Sequence, residues 1–356
     1  MHSWWLHLPE SRLTPRIALD ATYSVGDVLS GVGLYSHEIL YGLAAQHPET
    51  RFDFCYRPHR YHRAAALPPN ARRRIILEPL LPRPTDLFHG LNQRLPRVPL
   101  RRAVATFHDL FVMTGEYSTP EFRARFTEQA RDAAARADLL IAVSAFTKQQ
   151  IVSLLNVDAA RIHVVHHGIR KLPPVDAPRE PVILNVGAIQ KRKNIARLVE
   201  AFESLDPAWR LVLAGSSGYG ADEILARIAA SPARDRIQVT GYVSPGELAQ
   251  WYACASIFAF PSHDEGFGMP VLEAMAAGVP VVTSDRSALP EVAGDAALLI
   301  DPGNTEALRN ALRQLTDDGN LRQELSRRGV ERARTFTWEK AVRETWDVYR
   351  NLLNCV

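Results

Sequence analysis

Short apolar runs alternate with longer amphipathic stretches along the whole chain. Arg16 to Ala21 predicts a first strand, and Val32 to Gln46 a helix with apolar residues at Leu34, Ile39, Leu40 and Leu43. Phe52 to Tyr56 predicts a strand. Arg57 to Pro84, rich in Pro, Arg and Ala, predicts irregular chain. Asp86 to His89, Ala103 to Phe107, Leu139 to Val143 and Ile162 to Val165 predict short buried strands. Pro120 to Ala137 and Ala145 to Leu155 predict helices between them. Four prolines, Pro173, Pro174, Pro178 and Pro181, then break the pattern.

Beyond them the alternation starts again. Strands are predicted at Val182 to Val186, Arg210 to Ala214, Arg236 to Thr240, Ile257 to Phe260, Pro280 to Thr283 and Ala297 to Ile300. Helices are predicted at Ile195 to Ser204, Asp222 to Ala230, Pro245 to Ala253 and Pro270 to Ala277, with three more from Thr305, Asn320 and Trp338. Strands that are apolar throughout, and not every second residue, are buried on both faces, as in parallel sheets covered by helices. The pattern predicts an α/β protein of two doubly wound domains: residues 1–170, a linker over 171–181, and residues 182–336. Ligands of such sheets bind beyond the carboxyl ends of the strands, here between two facing domains.

The length of 356 residues suits two domains. No apolar run is long enough to span a bilayer, and Met1-His2-Ser3-Trp4-Trp5-Leu6 lacks the basic start of a secretory signal. Cys55, Cys254 and Cys355 form no metal-binding or disulfide spacing, which reads as reduced thiols of a cytoplasmic protein. Charge is uneven: residues 1–170 hold 21 Lys and Arg against 15 Asp and Glu. Arg72-Arg73-Arg74 precedes Ile75-Ile76-Leu77, and Arg101-Arg102 follows later. Such a surface suits anionic lipid headgroups at the inner face of a membrane, although a plain solvated face has the same composition. No motif for nucleic acid accompanies it.

Two segments carry most of the chemistry. Glu265-Gly266-Phe267-Gly268-Met269-Pro270-Val271-Leu272-Glu273 follows a buried strand and opens a helix. Its glycines admit close backbone approach, and the free N–H groups of the helix start suit a phosphate. Glu265 and Glu273 bracket that start, placed to meet hydroxyls on either side of a diphosphate. The bland reading is an ordinary helix cap. Asn185-Val186-Gly187-Ala188-Ile189-Gln190-Lys191-Arg192-Lys193-Asn194 opens the second half and sets three cations ahead of a helix. Lysine and arginine there could neutralise a departing diphosphate; a solvated charge run is the alternative.

The first of these segments resembles the Glu-x7-Glu signature of the retaining glycosyltransferases of family four, which have the GT-B fold. Phe260-Pro261-Ser262 before it, Ala274 to Val282 after it, and Leu289-Pro290-Glu291-Val292-Ala293-Gly294 extend the likeness over the second half; it is weaker in the first. Within that family the chain is most similar to bacterial mannosyl- and rhamnosyltransferases of surface-polysaccharide assembly.

The resemblance implies several roles. Lys193 binds the donor diphosphate, and Arg192 stands in for an arginine that many members carry where this chain has Ala188. Glu265 positions the transferred sugar and Glu273 holds the ribose, with Gly266, Phe267, Gly268, Met269 and Val271 lining the donor. His108, in Phe107-His108-Asp109-Leu110, contacts the sugar. Gly33, in Ser30-Gly31-Val32-Gly33-Leu34-Tyr35, belongs to a first-domain glycine loop, and Tyr242 and Val243 meet the base. The last helix, within 337–356, crosses back onto the first domain, with Trp338, Trp346 and Tyr349 as packing residues.

The expected reaction is transfer of a sugar, mannose from GDP-mannose as the first choice, to a saccharide or polyprenyl-linked saccharide. No cofactor and no metal are expected, since the sequence holds no Asp-x-Asp motif. Rival readings on the same architecture are a nucleotide-sugar epimerase or hydrolase and a catalytically silent nucleotide-sugar-binding protein. A dinucleotide oxidoreductase is weakest, because no GxGxxG follows either opening strand.

Overall fold

A computed structural model describes residues 15–26, 29–63, 66–78 and 85–353. Met1 to Leu6, Cys355 and part of the Arg57 to Pro84 stretch lie outside the described residues. Cys55 and Cys254 are free thiols.

The first sheet holds β1 (Arg16–Asp20), β2 (Arg51–Tyr56), β3 (Ala71–Ile75), β4 (Leu87–Gly90), β5 (Ala103–Phe107), β6 (Leu139–Ala142) and β7 (Ile162–Val164), in spatial order 3-2-1-4-5-6-7. The second holds β8 (Glu180–Val186), β9 (Arg210–Ala214), β10 (Ile237–Gly241), β11 (Ala255–Phe260), β12 (Val281–Ser284) and β13 (Ala297–Ile300), in order 10-9-8-11-12-13. All pairings are parallel. Both orders reverse at the first strand of the sheet, between β1 and β4 and between β8 and β11, which opens a crevice at their carboxyl ends. The two-domain α/β expectation holds.

Each sheet is sandwiched between two apolar clusters. Alternate residues of β8 and β11 feed opposite faces: Val182, Leu184, Phe258 and Phe260 one side, Ile183, Ile257 and Ala259 the other. That is why these strands read as unbroken apolar runs. Helix starts are capped as their sequences suggest. Thr119 accepts from the N–H of Phe122 ahead of Pro120, and Ser244 with Glu247 forms a reciprocal capping box.

One expectation fails. The Arg57 to Pro84 stretch is not irregular throughout: it contains a short helix, Pro58–Tyr61, and the edge strand β3. The residues Ala71-Arg72-Arg73-Arg74-Ile75 carry no apolar run, because an edge strand is paired on one side only; its pairing with β2 selects the strand conformation. The basic surplus there is partly neutralised. Arg74 lies 3.4 Å from Asp53, and Arg101 3.0 Å from Asp86.

The helix Trp338–Leu353 does return to the first domain. Gly42 gives Val342 room, Trp346 stacks on His47 at 3.7 Å, and the Tyr349 hydroxyl lies 2.6 Å from Nδ1 of His89. Trp338 and Tyr349 are buried, as packing residues should be.

Candidate active site

The site is built where β8 and β11 end. After β8 the chain turns through Gly187, whose φ of +142° favours glycine and which lies against the Lys193 side chain. Lys191, Arg192 and Lys193 then form a single 3-10 turn. Lys191 points outward to Glu223 at 2.9 Å. Arg192 and Lys193 are buried, so for two of the three residues a solvated charge run is ruled out.

After β11 comes Glu265, 8% exposed. Three donors converge on its Oε1: Lys193 Nζ at 2.6 Å, Ser262 Oγ at 2.5 Å and Arg192 Nη1 at 2.9 Å. Lys193 Nζ also lies 4.4 Å over the Phe260 ring, and the Arg192 guanidinium 4.2 Å over Phe111 of the first domain. Burial alone would raise the Glu265 carboxyl, but the charges of Arg192 and Lys193 outweigh it and hold it at about 2. Burial brings Lys193 down to about 8, with Glu265 opposing and Arg192 assisting. At neutral pH all three are therefore ionised. Asp109, beside them, is pushed up to about 7 by burial, with Glu265 and Asp264 adding to the rise.

The helix Met269–Ala276 starts next to this cluster. Gly268 precedes it with φ +111°, Pro270 occupies its first turn, and that turn holds no acidic residue. Across the cleft the helix Gly31–Gln46 starts with no acidic first turn either. The two amino ends are close: a Cβ on Gly31 would lie 2.7 Å from the Met269 methyl. Two positive helix ends beside two cations form a surface suited to a polyanion such as a diphosphate.

His108 directly follows β5, and its main chain borders the second domain. Its main-chain carbonyl packs against Gly266 so tightly that a Cβ there would lie 1.7 Å away. Nε2 is 2.9 Å from the Leu91 carbonyl, a geometry in which that nitrogen carries the proton and Nδ1 is left as an acceptor. Burial lowers the ring to about 4, so it is neutral.

Other expected residues are placed differently. Gly33 lies within the first turn of its helix, and its missing side chain makes room for the Tyr23 carbonyl. Gly31 is the glycine that faces the other domain. Val271 and Phe267 are core residues; the Phe267 ring packs edge-on to His167 at 4.9 Å. Tyr242 is 55% exposed just beyond β10, and Val243 packs on the second core. Glu273 is not brought to Lys193 and Glu265. Its Oε1 lies 3.2 Å from Arg170 and its Oε2 accepts from the Tyr252 hydroxyl at 3.0 Å. It also lines a cavity of 390 Å³ walled by the linker. Helical phase explains this: just over one turn into its helix, Glu273 faces Tyr252 of the helix Pro245–Cys254.

Several residues of the site carry no motif of their own. Thr114 reaches Asp264, Ser144 and Thr147 reach the Gly266 carbonyl, and His166 reaches Glu291. Only Ser144 had a local signal, as the hydroxyl residue ahead of a helix. Among the described residues, no helix is long and apolar enough to cross a membrane, and no group of three His, Cys, Asp or Glu could hold a metal ion.

Two doubly wound domains, a cationic turn and a glycine-rich helix start facing a histidine define a GT-B glycosyltransferase. The group 1 glycosyl transferase model matches residues 173–332, and the family 4 glycosyltransferase model matches 36–171. The O-antigen chain mannosyltransferase B of Escherichia coli is 34% identical over 284 residues, covering 75% of this chain and 74% of that one. A D-inositol 3-phosphate glycosyltransferase of a Nocardioides species is 34% identical over 271 residues, covering 66% and 58%. The solved sucrose-phosphate synthase of Thermosynechococcus elongatus superposes with a TM-score of 0.78 at 22% identity, covering 96% of this chain and all of that one. The chain belongs to the group 1 glycosyltransferases with a family 4 amino-terminal domain.

Proposed function

We propose that the chain is a retaining mannosyltransferase, moving mannose from GDP-mannose to a hydroxyl of a saccharide or polyprenyl-linked saccharide in surface-polysaccharide assembly. The observation that carries the transfer reading is the Arg192–Lys193–Glu265 cluster at the start of the Met269–Ala276 helix, opposite a neutral His108. Likeness to an O-antigen mannosyltransferase supports the choice of mannose.

In this reading Lys193, Arg192 and the two helix ends take up the charge of the departing diphosphate, the role a metal plays elsewhere. The bond from the anomeric carbon to the phosphate oxygen breaks, and the acceptor oxygen bonds to that carbon on the same face. The acceptor proton passes to the departing phosphate oxygen. Glu265, held on Oε1 by three donors, offers its other oxygen to the sugar. His108 offers Nδ1 as an acceptor to a sugar hydroxyl. Glu273 reaches the ribose only if it leaves Arg170 or shares it.

The test is purified chain with GDP-mannose, a mannose-terminated oligosaccharide and a chelator. Transfer with retained configuration is expected, and UDP- and ADP-sugars should transfer more slowly. Sugar release from donor alone at the rate of transfer would point instead to a hydrolase. A polyprenyl-linked acceptor further predicts that anionic vesicles bind the chain and release it as salt rises.

A further inference from the structure

The two domains touch next to Glu265, and the hydrogen bonds there run one way. From the second domain come residues 264–266 and the short helix Leu289–Ala293. From the first come Thr114 and the opening turn of the helix Ala145–Leu155. Thr114 Oγ1 donates to Asp264 at 3.0 Å. Ser144 Oγ and Thr147 Oγ1 donate to the Gly266 carbonyl at 2.7 and 3.1 Å. The N–H of Ala145 donates to both oxygens of Glu291 at 2.9 Å, and that of Phe146 to one at 3.4 Å. His166 Nε2 lies 2.6 Å from the same carboxylate. The first domain supplies donors and the second supplies acceptors.

A helix start leaves N–H groups without partners, and a carboxylate suits them by hydrogen bond and by dipole. Here the carboxylate is delivered from the other domain. It is rigidly mounted, because Arg332 donates to the carbonyls of Glu291 and Val292 at 2.6 and 3.0 Å. Any parting of the domains at this point separates Glu291 from Ala145 and frees Gly266 from Ser144. Gly266 is the residue after Glu265, so the same contacts that close the domains hold the glutamate loop.

We propose that Glu291, Ser144 and Thr147 form a clasp that closes the cleft and sets Glu265 against the sugar. Glu291 is a positioning residue and does not touch substrate. The kinetic consequence rests on the glycosyl-transfer reading; the structural one does not.

The variants are Glu291→Gln, which keeps shape and removes charge, and Ser144→Ala, which acts from the opposite domain. Each should lower kcat about 10- to 100-fold while the KM for GDP-mannose moves less than about threefold, because positioning is lost and donor contacts are not. Glu291→Asp should recover part of the rate. Small-angle X-ray scattering of the full chain, without ligand and with GDP-mannose, should show a larger radius of gyration for both variants than for the wild type. Should Glu291→Gln fold poorly, as far-UV circular dichroism would reveal, Ser144→Ala and Thr147→Val ask the same question. Wild-type scattering and wild-type kcat in these variants would overturn the clasp. Were the wild type to leave GDP-mannose untouched, the donor choice would fall, and the ligand-free scattering would still decide the clasp.

Discussion

The two walls of the cleft differ in kind. The second domain presents ions: Arg192, Lys193 and Glu265, all buried and all charged at neutral pH. The first presents neutral rings, with the Asp109 carboxyl, pushed up to about 7 by burial, beside the ions. His89, His108 and His167 are buried together, and burial pushes each below the ordinary histidine range. His108 lies parallel to His167 at 5.4 Å, while His89 bonds to Thr106 at 2.8 Å, which in turn bonds Tyr35. A charged wall is suited to the anionic half of a nucleotide sugar. A neutral, hydrogen-bonding wall is suited to the uncharged sugar and its acceptor. The division of labour between the domains is thus electrostatic before it is catalytic.

The largest effect should come from emptying the charged wall. Glu265→Gln leaves Arg192 and Lys193 buried without their counter-ion. Breaking a buried pair in this way costs about 3–5 kcal/mol of stability. Activity should fall about 10³-fold or more, since the sugar loses its positioning carboxylate. Denaturant unfolding and initial rates check both numbers. A Gln variant that keeps stability but loses activity would separate the two roles. His108→Ala, on the neutral wall, should cost less: about 10²-fold in kcat, with donor affinity nearly unchanged. If His108→Ala instead abolished donor binding, the contrast between the walls would be wrong.

The walls should also titrate differently. Above about pH 8 Lys193 loses its charge, so kcat/KM should decline on the alkaline side. Lys193→Arg should move that limb upward; an unmoved limb would assign it to another group. Stability runs the opposite way. The unfolded chain holds the Lys193 proton up to about 10.4 and the folded chain only to about 8, so rising pH stabilises the fold across that window. On the acid side the Glu265 contribution is full above its ordinary 4.5 and is lost as pH falls towards 2. His108, held at about 4, contributes no limb near 6.5 to kcat/KM, so a limb near pH 7 belongs to Asp109, which burial pushes up to about 7.

The charged wall was legible in the sequence because its members sit in two continuous segments, Lys191 to Asn194 and Glu265 to Glu273, each at the end of an apolar strand. The neutral wall was not. His108 stood out by its place at the end of an apolar strand and by resemblance, and His89 and His167 lie in stretches without a motif. Nothing local records that Thr114 faces Asp264 or that Glu291 faces Ala145; those pairs are 150 and 146 residues apart. The same limit explains Glu273. Its spacing from Glu265 was plain, but its capture by Arg170 and Tyr252 depends on where the linker runs. In the fold, long apolar strands were read nearly to the residue, whereas β3 and the helices Phe111–Thr114 and Leu289–Ala293 were missed. A helix of four or five residues is too short to show a period.

The smallest effect tests the rim of the charged wall. Tyr242 stands just beyond β10, at the same carboxyl end of the sheet as Lys193, and is more than half exposed. Gly241 before it has φ +70°, a turn that directs the following residue away from the strand. An exposed ring at that edge can cover one face of a nucleotide base but cannot exclude water from it. Tyr242→Ala should therefore weaken donor binding by only about 0.5–1.5 kcal/mol, the range of an aromatic contact beyond area burial. The fold should be untouched, because more than half of the residue is exposed. Calorimetric titration with GDP and with GDP-mannose separates the possibilities. Equal loss for both ligands places the ring at the nucleotide end. Loss confined to GDP-mannose would place it at the sugar, and the contrast would then have to be redrawn with an aromatic contact on the charged side.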